Sequence, residues 1–546
     1  MFRENNDHKQ MSLVDNTNWM DPKVVKKFSK TWAPIFYEHV FCKIDEKPFE
    51  VLYSDTGRPN FPVNILLGLE YIKHLFNYTD DELIENFYFN YLVSYALGVR
   101  NLGDKNLAER TLYYFRERVY KYTLEHPEED DLISQQFSHL TDGFIKATGI
   151  STKEQRMDST FIASNIKKMG RLSLAVDVLE QAVKALPEEI LSSSLKEVLK
   201  SDFRTDTLYR IKANETASKL ESVIDLIGEV NELTRDNPDN PEFESLDAIR
   251  ILKRFLSEQA DYDTDENRYK PKDKSSISAD SLQSAYDEDA TYRVKGSKSE
   301  SGYVVNITET CDDSNNTQFI TDYATAPNVK SDVALIKERL PEIVEKTDCE
   351  HMYTDGGYYS PEITELAKEE GVTMHYTDMT GRKPSPDKYS ATDFQFDESS
   401  RRIISCPRGK EPIKSTTTKN HMVAHFKRRT CARCEFRDKC LAKRQKKSYV
   451  VRISHKAIES AKQRALIKEN IKESTSKRAA IEGTNSALKR AHGIGKLRVR
   501  GLNKCSVVVG LKVTAHNFKR FMMATLHKAE EAVKPQGGGF SAPIYQ

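Results

Sequence analysis

Long apolar runs are missing from this chain, and no stretch approaches the roughly 18–20 residues needed to span a bilayer. The N-terminus, MFRENNDHKQ, lacks the apolar core of a signal peptide. Cysteine is scarce: eight thiols in 546 residues do not make a disulfide scaffold, so a reducing, cytoplasmic setting is expected. Net charge is nearly absent as well, at +1. What the chain does have is 38% hydrophobic and 30% charged residues, the balance of a soluble, helix-rich protein. Its length exceeds what one core serves, so about two to four domains are expected.

The small net charge conceals a division. Residues 401–520 hold 33 Lys and Arg against 7 Asp and Glu, whereas the remainder holds 50 against 75. A solvated helical surface is the ordinary source of a charge run. An excess this large over 120 residues instead points to a region that attracts a polyanion, nucleic acid above all.

Periodicity organises the rest. Residues 63–76 (VNILLGLEYIKHLF) carry apolar residues on a helical stripe, and 79–98 open with a Thr cap followed by acids. KEQRMDST (153–160) suits a strand ending at Asp158, and 171–259 turn helical and acidic. The charged stretch 261–281 reads as a loop or linker. GYVVNITETCDD and TQFITDYATA, divided by a Ser-Asn-Asn turn, form a predicted hairpin. Helix (331–347), strand (HMYTDG), helix (SPEITELAKEEG) and strand (VTMHYTD) follow. That order is a mixed α/β sheet with a helical block inserted after its first strand. Residues 382–460 interrupt it with Pro, Ser, Cys and short β-like pieces, after which helix resumes. The tail, KPQGGGFSAPIYQ, is expected to be disordered.

Three acidic residues stand in settings useful for chemistry. Asp158 and Asp355 are read at strand ends opening into turns, and Glu482 lies within a basic helical run. Single carboxylates are mostly surface groups, so each alone means little. A fold that gathered them would offer hard oxygen donors to divalent cations, and paired cations both activate a nucleophile and neutralise a leaving oxygen in phosphodiester cleavage. The two glycines after Asp355 would let another backbone approach closely. Arg478, Glu482 and Lys489 fall on one helix face, which a salt-bridged exposed helix would also produce.

On these segments the chain resembles the DDE transposases of bacterial insertion sequences, closest to the InsH-type group with a β-rich piece between the second Asp and the Glu. DST (158–160), TDGGYYS (354–360) and RAAIEGTNSALKR (478–490) are similar to the family's three catalytic segments. The family's last-helix signature is Tyr, two residues, Arg, three residues, Glu, six residues, Lys; Arg478, Glu482 and Lys489 fit it, and Thr475 stands at the Tyr position. The resemblance implies an α/β, ribonuclease H-like catalytic domain in which Asp158, Asp355 and Glu482 bind two Mg²⁺ or Mn²⁺ ions. It also implies action on double-stranded DNA, at the element's terminal inverted repeats and at target DNA, usually by a homodimer. Arg478, Lys489 and Arg490 would hold phosphates. The implied organisation is a helical DNA-binding and dimerisation domain (1–150), a catalytic domain in three pieces (151–170, 285–381, 461–525), a helical insertion and linker (171–284), a basic Cys-containing insertion (382–460) and a tail (526–546). A related nuclease or recombinase, or a non-catalytic DNA-binding descendant, is the alternative.

Half of the cysteines, Cys406, Cys431, Cys434 and Cys440, lie within 35 residues and contain one CxxC knuckle. Four thiolates suit a closed tetrahedral structural zinc site, although this spacing is not a stock zinc-finger pattern. Reduced, unliganded thiols are the alternative. The neighbouring Lys427, Arg428 and Arg429 would add phosphate-backbone contacts.

Overall fold

A ten-residue strand, β1 (Glu154–Ala163), organises the centre of the protein. Around it lie β2 (Thr291–Lys295), β3 (Lys298–Thr310), β4 (Ile320–Pro327), β5 (His351–Thr354) and β6 (Thr373–Tyr376). The computed structural model describes residues 1–533 apart from 11–14, 130, 168, 236–240, 296–297, 380–384, 386 and 398. The sheet order is β2-β3-β1-β5-β6, with β4 also on β3. β3 is antiparallel to β1, β2 and β4, whereas β1, β5 and β6 are parallel. This is the mixed α/β sheet expected from the element order, and the hairpin read at 302–326 is β3–β4.

β1 does not stop at Asp158. Thr160, Phe161 and Ile162 continue the ladder opposite Val305, Val304 and Tyr303. Their β-branched and aromatic side chains suit a pleated surface, so the strand runs five residues past the carboxylate and Asp158 sits in mid-strand. Asp355, in contrast, follows β5 directly, as expected.

Helices cover the sheet. α1 (Val63–Phe76) and α2 (Leu132–Thr148) belong to an N-terminal helical region with its own apolar cluster, including Phe36, Leu67 and Phe144. The helix expected over 79–98 is two, Asp80–Phe89 and Tyr91–Ala96. Thr79 closes a capping box with Glu82 on the first, and the Asn90 side chain caps the second. Between β1 and β2 lie α3 (Arg171–Lys184), α4 (Thr216–Thr234) and α5 (Asp247–Gln259), packed around a separate cluster of Leu, Ile and Val side chains. The stretch read as a linker at 261–281 begins instead as a hairpin, Ala260–Asp263 against Arg268–Pro271. Asn267 takes the positive φ of its turn, so the turn chemistry was visible while the strands, short and charged, were not.

α6 (Asp332–Lys346) and α7 (Pro361–Glu369) are the predicted crossover helices beside β5 and β6. The basic insertion is a small sheet of β7 (Lys414–Thr417), β8 (His421–Lys427), β9 (Lys443–Arg444) and β10 (Ser448–Ser454), in the order β7-β8-β10-β9. Its boundary expected near 381 falls outside the described residues. β10 passes directly into α8 (His455–Arg490), a 36-residue helix.

α9 (Leu502–Val533) joins the N-terminal core to the core of the sheet. Val507, Leu511, Phe518 and Phe521 enter the N-terminal cluster, while Cys505, Val508, Val509 and Val513 enter the sheet cluster. Residues 507–518 of this helix are buried throughout, polar Lys512, Thr514, His516 and Asn517 included. Gly510 lies where it crosses α2 and β4: a Cβ there would meet the Tyr323 hydroxyl at 2.3 Å and Ile133 at 2.9 Å. The helix continues beyond residue 525, where the tail was expected to begin; 534–546 lie outside the described residues.

Candidate active site

Asp158 projects from β1, a position the sheet fixes through its pairing with Ile307. Its side chain is mostly buried, at 14% exposure. Burial pushes its carboxyl above the ordinary range, the Arg478 guanidinium pulls it down, and the charge of Asp355 pushes it up again. Asp355 caps the turn after β5, its Oδ1 accepting from the Gly357 amide at 2.7 Å. The turn depends on Gly356, because a Cβ there would meet the Asp378 carbonyl oxygen at 2.4 Å. The close backbone approach expected of the two glycines is therefore real at the first of them. Glu482 lies on α8 and is 64% exposed, free to change rotamer.

One cation touches all three. Arg478 Nη1 lies 2.9 Å from Glu482 Oε1, while Nη2 lies 3.3 Å from Asp158 Oδ1 and 3.9 Å from Asp355 Oδ2. Acids separated by 127 to 324 positions are thus gathered around a single guanidinium. Among the described residues, no three carboxylate, imidazole or thiol groups converge closely enough to hold a metal ion as they stand. Arg478 lies against all three acids and offsets part of their charge. The donor set itself, three carboxylates with hard oxygens, suits Mg²⁺ or Mn²⁺ once that guanidinium moves aside.

The surroundings contain groups that sequence reading did not find. Asn485 donates through Nδ2 to Asp158 Oδ2 at 3.1 Å. Its spacing of seven from Arg478 and three from Glu482 puts it on the same helix face, a signal that was present. Asp332, at the start of α6, joins Asp158 and Asp355 around a cavity of about 80 Å³. No local motif marks it. Beneath Asp158, Ser159 Oγ, Tyr358 OH and Asn306 Nδ2 form a closed triangle of hydrogen bonds at 2.7, 2.8 and 3.1 Å. Tyr358 belongs to TDGGYYS, so this triangle ties the Asp355 turn to β1 and β3.

A second buried network holds α8 in place. Glu309 on β3 is fully buried and accepts from Arg156 Nε at 2.7 Å, Thr484 Oγ1 at 2.8 Å and Arg520 Nη1 at 2.7 Å. Arg156 also donates from Nη1 to the Lys477 carbonyl at 2.9 Å. Lys477 and Thr484 bracket Glu482, so β1, β3 and α9 together fix the turns of α8 that carry Arg478 and Glu482.

Lys489 and Arg490 are exposed in the last turn of α8, and among the described residues no ion pair joins either to the three acids. Seven residues of helix place Lys489 about 10 Å along the axis from Glu482. Lys427, Arg428 and Arg429 are exposed where β8 ends.

The four clustered cysteines do come together. Cys406, Cys431, Cys434 and Cys440 line one small cavity of about 30 Å³ beside Phe426 and Phe436. The Cys406 carbonyl accepts from Gly409 N at 2.7 Å, and the Cys431 carbonyl from Cys434 N at 3.4 Å, forming two tight turns. Burial, then the charges of the other three thiols, push Cys431 up to about 11. As they stand, the thiols are not arranged to coordinate a metal.

Two family models match the chain: one described as a transposase DDE domain over residues 405–522, the other as a transposase domain (DUF772) over residues 27–118. The first spans the cysteine cluster, α8 with Arg478 and Glu482, and most of α9; the second covers the N-terminal helices. Neither a curated protein nor a solved structure matches the chain.

Proposed function

This chain belongs to the DDE transposases of insertion sequences, and we propose that Asp158, Asp355 and Glu482 are the carboxylates with which it cuts element ends and joins them to target DNA. Its function is DNA transposition, through DNA binding and transfer of backbone phosphodiesters. The observation that carries the assignment is the single guanidinium of Arg478 in contact with all three acids. The strand order β4-β3-β1-β5-β6, with β3 antiparallel to β1, supports a ribonuclease H-like catalytic domain.

Asp158, Asp355 and Glu482 would hold two Mg²⁺ or Mn²⁺ ions. The chemistry such cations supply is activation of the attacking oxygen and neutralisation of the leaving one. Asp158 offers a rigid ligand because its pairing with Ile307 on β3 fixes its backbone. Asp355 is oriented by its cap to Gly357, and exposed Glu482 has the freedom to turn toward either position. Arg478 then exchanges carboxylate partners for a DNA phosphate, which its planar fork suits. Asn485 keeps Asp158 oriented through this exchange. Cleavage of labelled element ends, followed by joining to a plasmid, is the direct test: products that require Mg²⁺ or Mn²⁺ are expected, and a protein that binds ends without cutting them contradicts the assignment.

Lys489 acts as a phosphate contact beyond the cutting site. Lys489→Ala is expected to weaken binding of a cognate end by about 3- to 10-fold and to lower the salt slope by about 0.9, measured by fluorescence anisotropy over a sodium chloride series. An unchanged slope removes it from the interface.

Residues 382–460 form the β-rich piece of the InsH-type group, stapled by zinc on Cys406, Cys431, Cys434 and Cys440 and presenting Lys427, Arg428 and Arg429 to DNA backbone. The convergence of four thiols on one cavity supports this. Cys431→Ser is expected to lose one equivalent of zinc by atomic absorption and to lower the melting temperature. A variant that melts like the wild type and contains as much zinc refutes the staple. The protein works as a homodimer on two inverted-repeat ends, with the N-terminal helices contributing to DNA binding and dimerisation.

A further inference from the structure

On the face of α8 turned away from Glu482 lies a second, larger recess of about 570 Å³. Ala487 and Ala491 form its floor on α8, and α9 supplies His516, Lys519, Arg520 and Lys528. Ala491 follows Glu482 by nine residues, about two and a half helical turns, which places it on the opposite side. The small alanine side chains open the space. Thr317, from the turn between β3 and β4, adds a neutral hydroxyl to the rim.

The recess is cationic by construction. Among the described residues, no carboxylate lines it. Arg520 is already paired with buried Glu309, but Lys519 and Lys528 are exposed and have no acidic partner among the described residues. The wall behind them is made of imidazoles and a buried ammonium: His516 Nδ1 lies 3.4 Å from His492 Nε2, His492 Nδ1 lies 2.9 Å from the His74 carbonyl, and the buried Lys512 ammonium bonds the His492 carbonyl. Glu70 reaches His74 Nε2 at 4.0 Å on its far side. Burial and the neighbouring cations Arg520 and Lys519 hold His516 neutral. Lys528 donates to the Thr148 carbonyl at 3.4 Å, a neutral partner that leaves its charge uncompensated. A cleft whose lysines lack acidic partners among the described residues, over a wall that resists further positive charge, is matched by an anion.

We infer that this cleft between α8 and α9 seats backbone phosphates of a DNA segment, other than the scissile phosphate at Glu482. A helix with its side chains is about 10–12 Å across, so a phosphate lodged here cannot be the scissile one at the same time. The segment lies against the back of the catalytic helix, clamped by Lys519 and Lys528 with the Thr317 hydroxyl as a further donor. The inference rests on the transposase reading only for its choice of DNA as the polyanion.

The test is anisotropy of a fluorescein-labelled random-sequence duplex with the full-length protein across a sodium chloride series. The comparison is between wild type, Lys519→Ala/Lys528→Ala, and a control pair on the acidic insertion, Lys184→Ala/Lys196→Ala. Each phosphate contact contributes about 0.9 to the slope of log affinity against log salt. The cleft pair is therefore expected to lower the slope by roughly 1.8 and to weaken binding about tenfold or more near physiological salt, with the control pair unchanged. Wild type that binds the duplex with an affinity and slope the cleft pair shares overturns the cleft and leaves the active-site assignment standing. Wild type with no salt-dependent duplex binding overturns both. A titration of inorganic phosphate separates the remaining source: if the cleft pair loses only phosphate binding and keeps full duplex affinity, the cleft takes a free anion and the DNA assignment is wrong.

Discussion

Asp158→Ala, Asp355→Ala and Glu482→Gln are each expected to lose metal-dependent DNA cleavage by about 10⁴-fold or more, the scale on which enzymes lose turnover when one member of a catalytic unit is removed. Duplex binding should be nearly intact, because the basic residues that supply it lie elsewhere. The three differ in what else they disturb. Asp158 is the most buried of the set and holds both Arg478 and Asn485, so its loss leaves two donors without their acceptor. Glu482 is exposed and, among the described residues, pairs only with Arg478, so its amide variant should melt like the wild type. Double variants should be no slower than single ones if the acids act as a unit. A variant that still cuts at a wild-type rate under Mg²⁺ removes its residue from the site.

The second large effect concerns stability. Glu309→Ala removes a fully buried carboxylate from Arg156, Thr484 and Arg520. Arg156 has 8% side-chain exposure and would be left as an uncompensated charge. Breaking a buried pair in this way costs about 3–5 kcal/mol, and denaturant unfolding should report a loss of that order. Glu309→Gln keeps part of the hydrogen bonding and should cost less. Because Lys477 and Thr484 are both tied into this network, the alanine variant should also cut more slowly than its folded fraction accounts for. Wild-type stability in Glu309→Ala would mean that the network does not hold α8.

The sequence made much of this legible, and the particular residues show why. Asp355 sits after an apolar strand and before paired glycines, a local pattern that survives folding. Glu482 lies in a long helix whose face is set by spacing alone. Asp158 was placed at a strand end, yet the next five residues stay in the sheet because their partners on β3, some 140 positions away, extend the ladder. Tertiary pairing decided what local polarity could not. The same holds for Asp332 and Glu309, which carry no motif and gain their surroundings only when α6 and β3 reach the site. Asn485 was within reach of helical spacing. The arrangement of the acids around Arg478 was not, because a sequence pattern cannot tell a phosphate-binding arginine from one resting on its own carboxylates.

That exchange of partners is the point on which the account turns. Crystals of the protein soaked in Mn²⁺ and measured at the manganese absorption edge would test it most directly. The account predicts anomalous peaks within about 2.0–2.6 Å of oxygens from Asp158, Asp355 and Glu482, with the Arg478 guanidinium displaced from between them. Manganese bound to other groups, with Arg478 still seated on all three carboxylates, would contradict it.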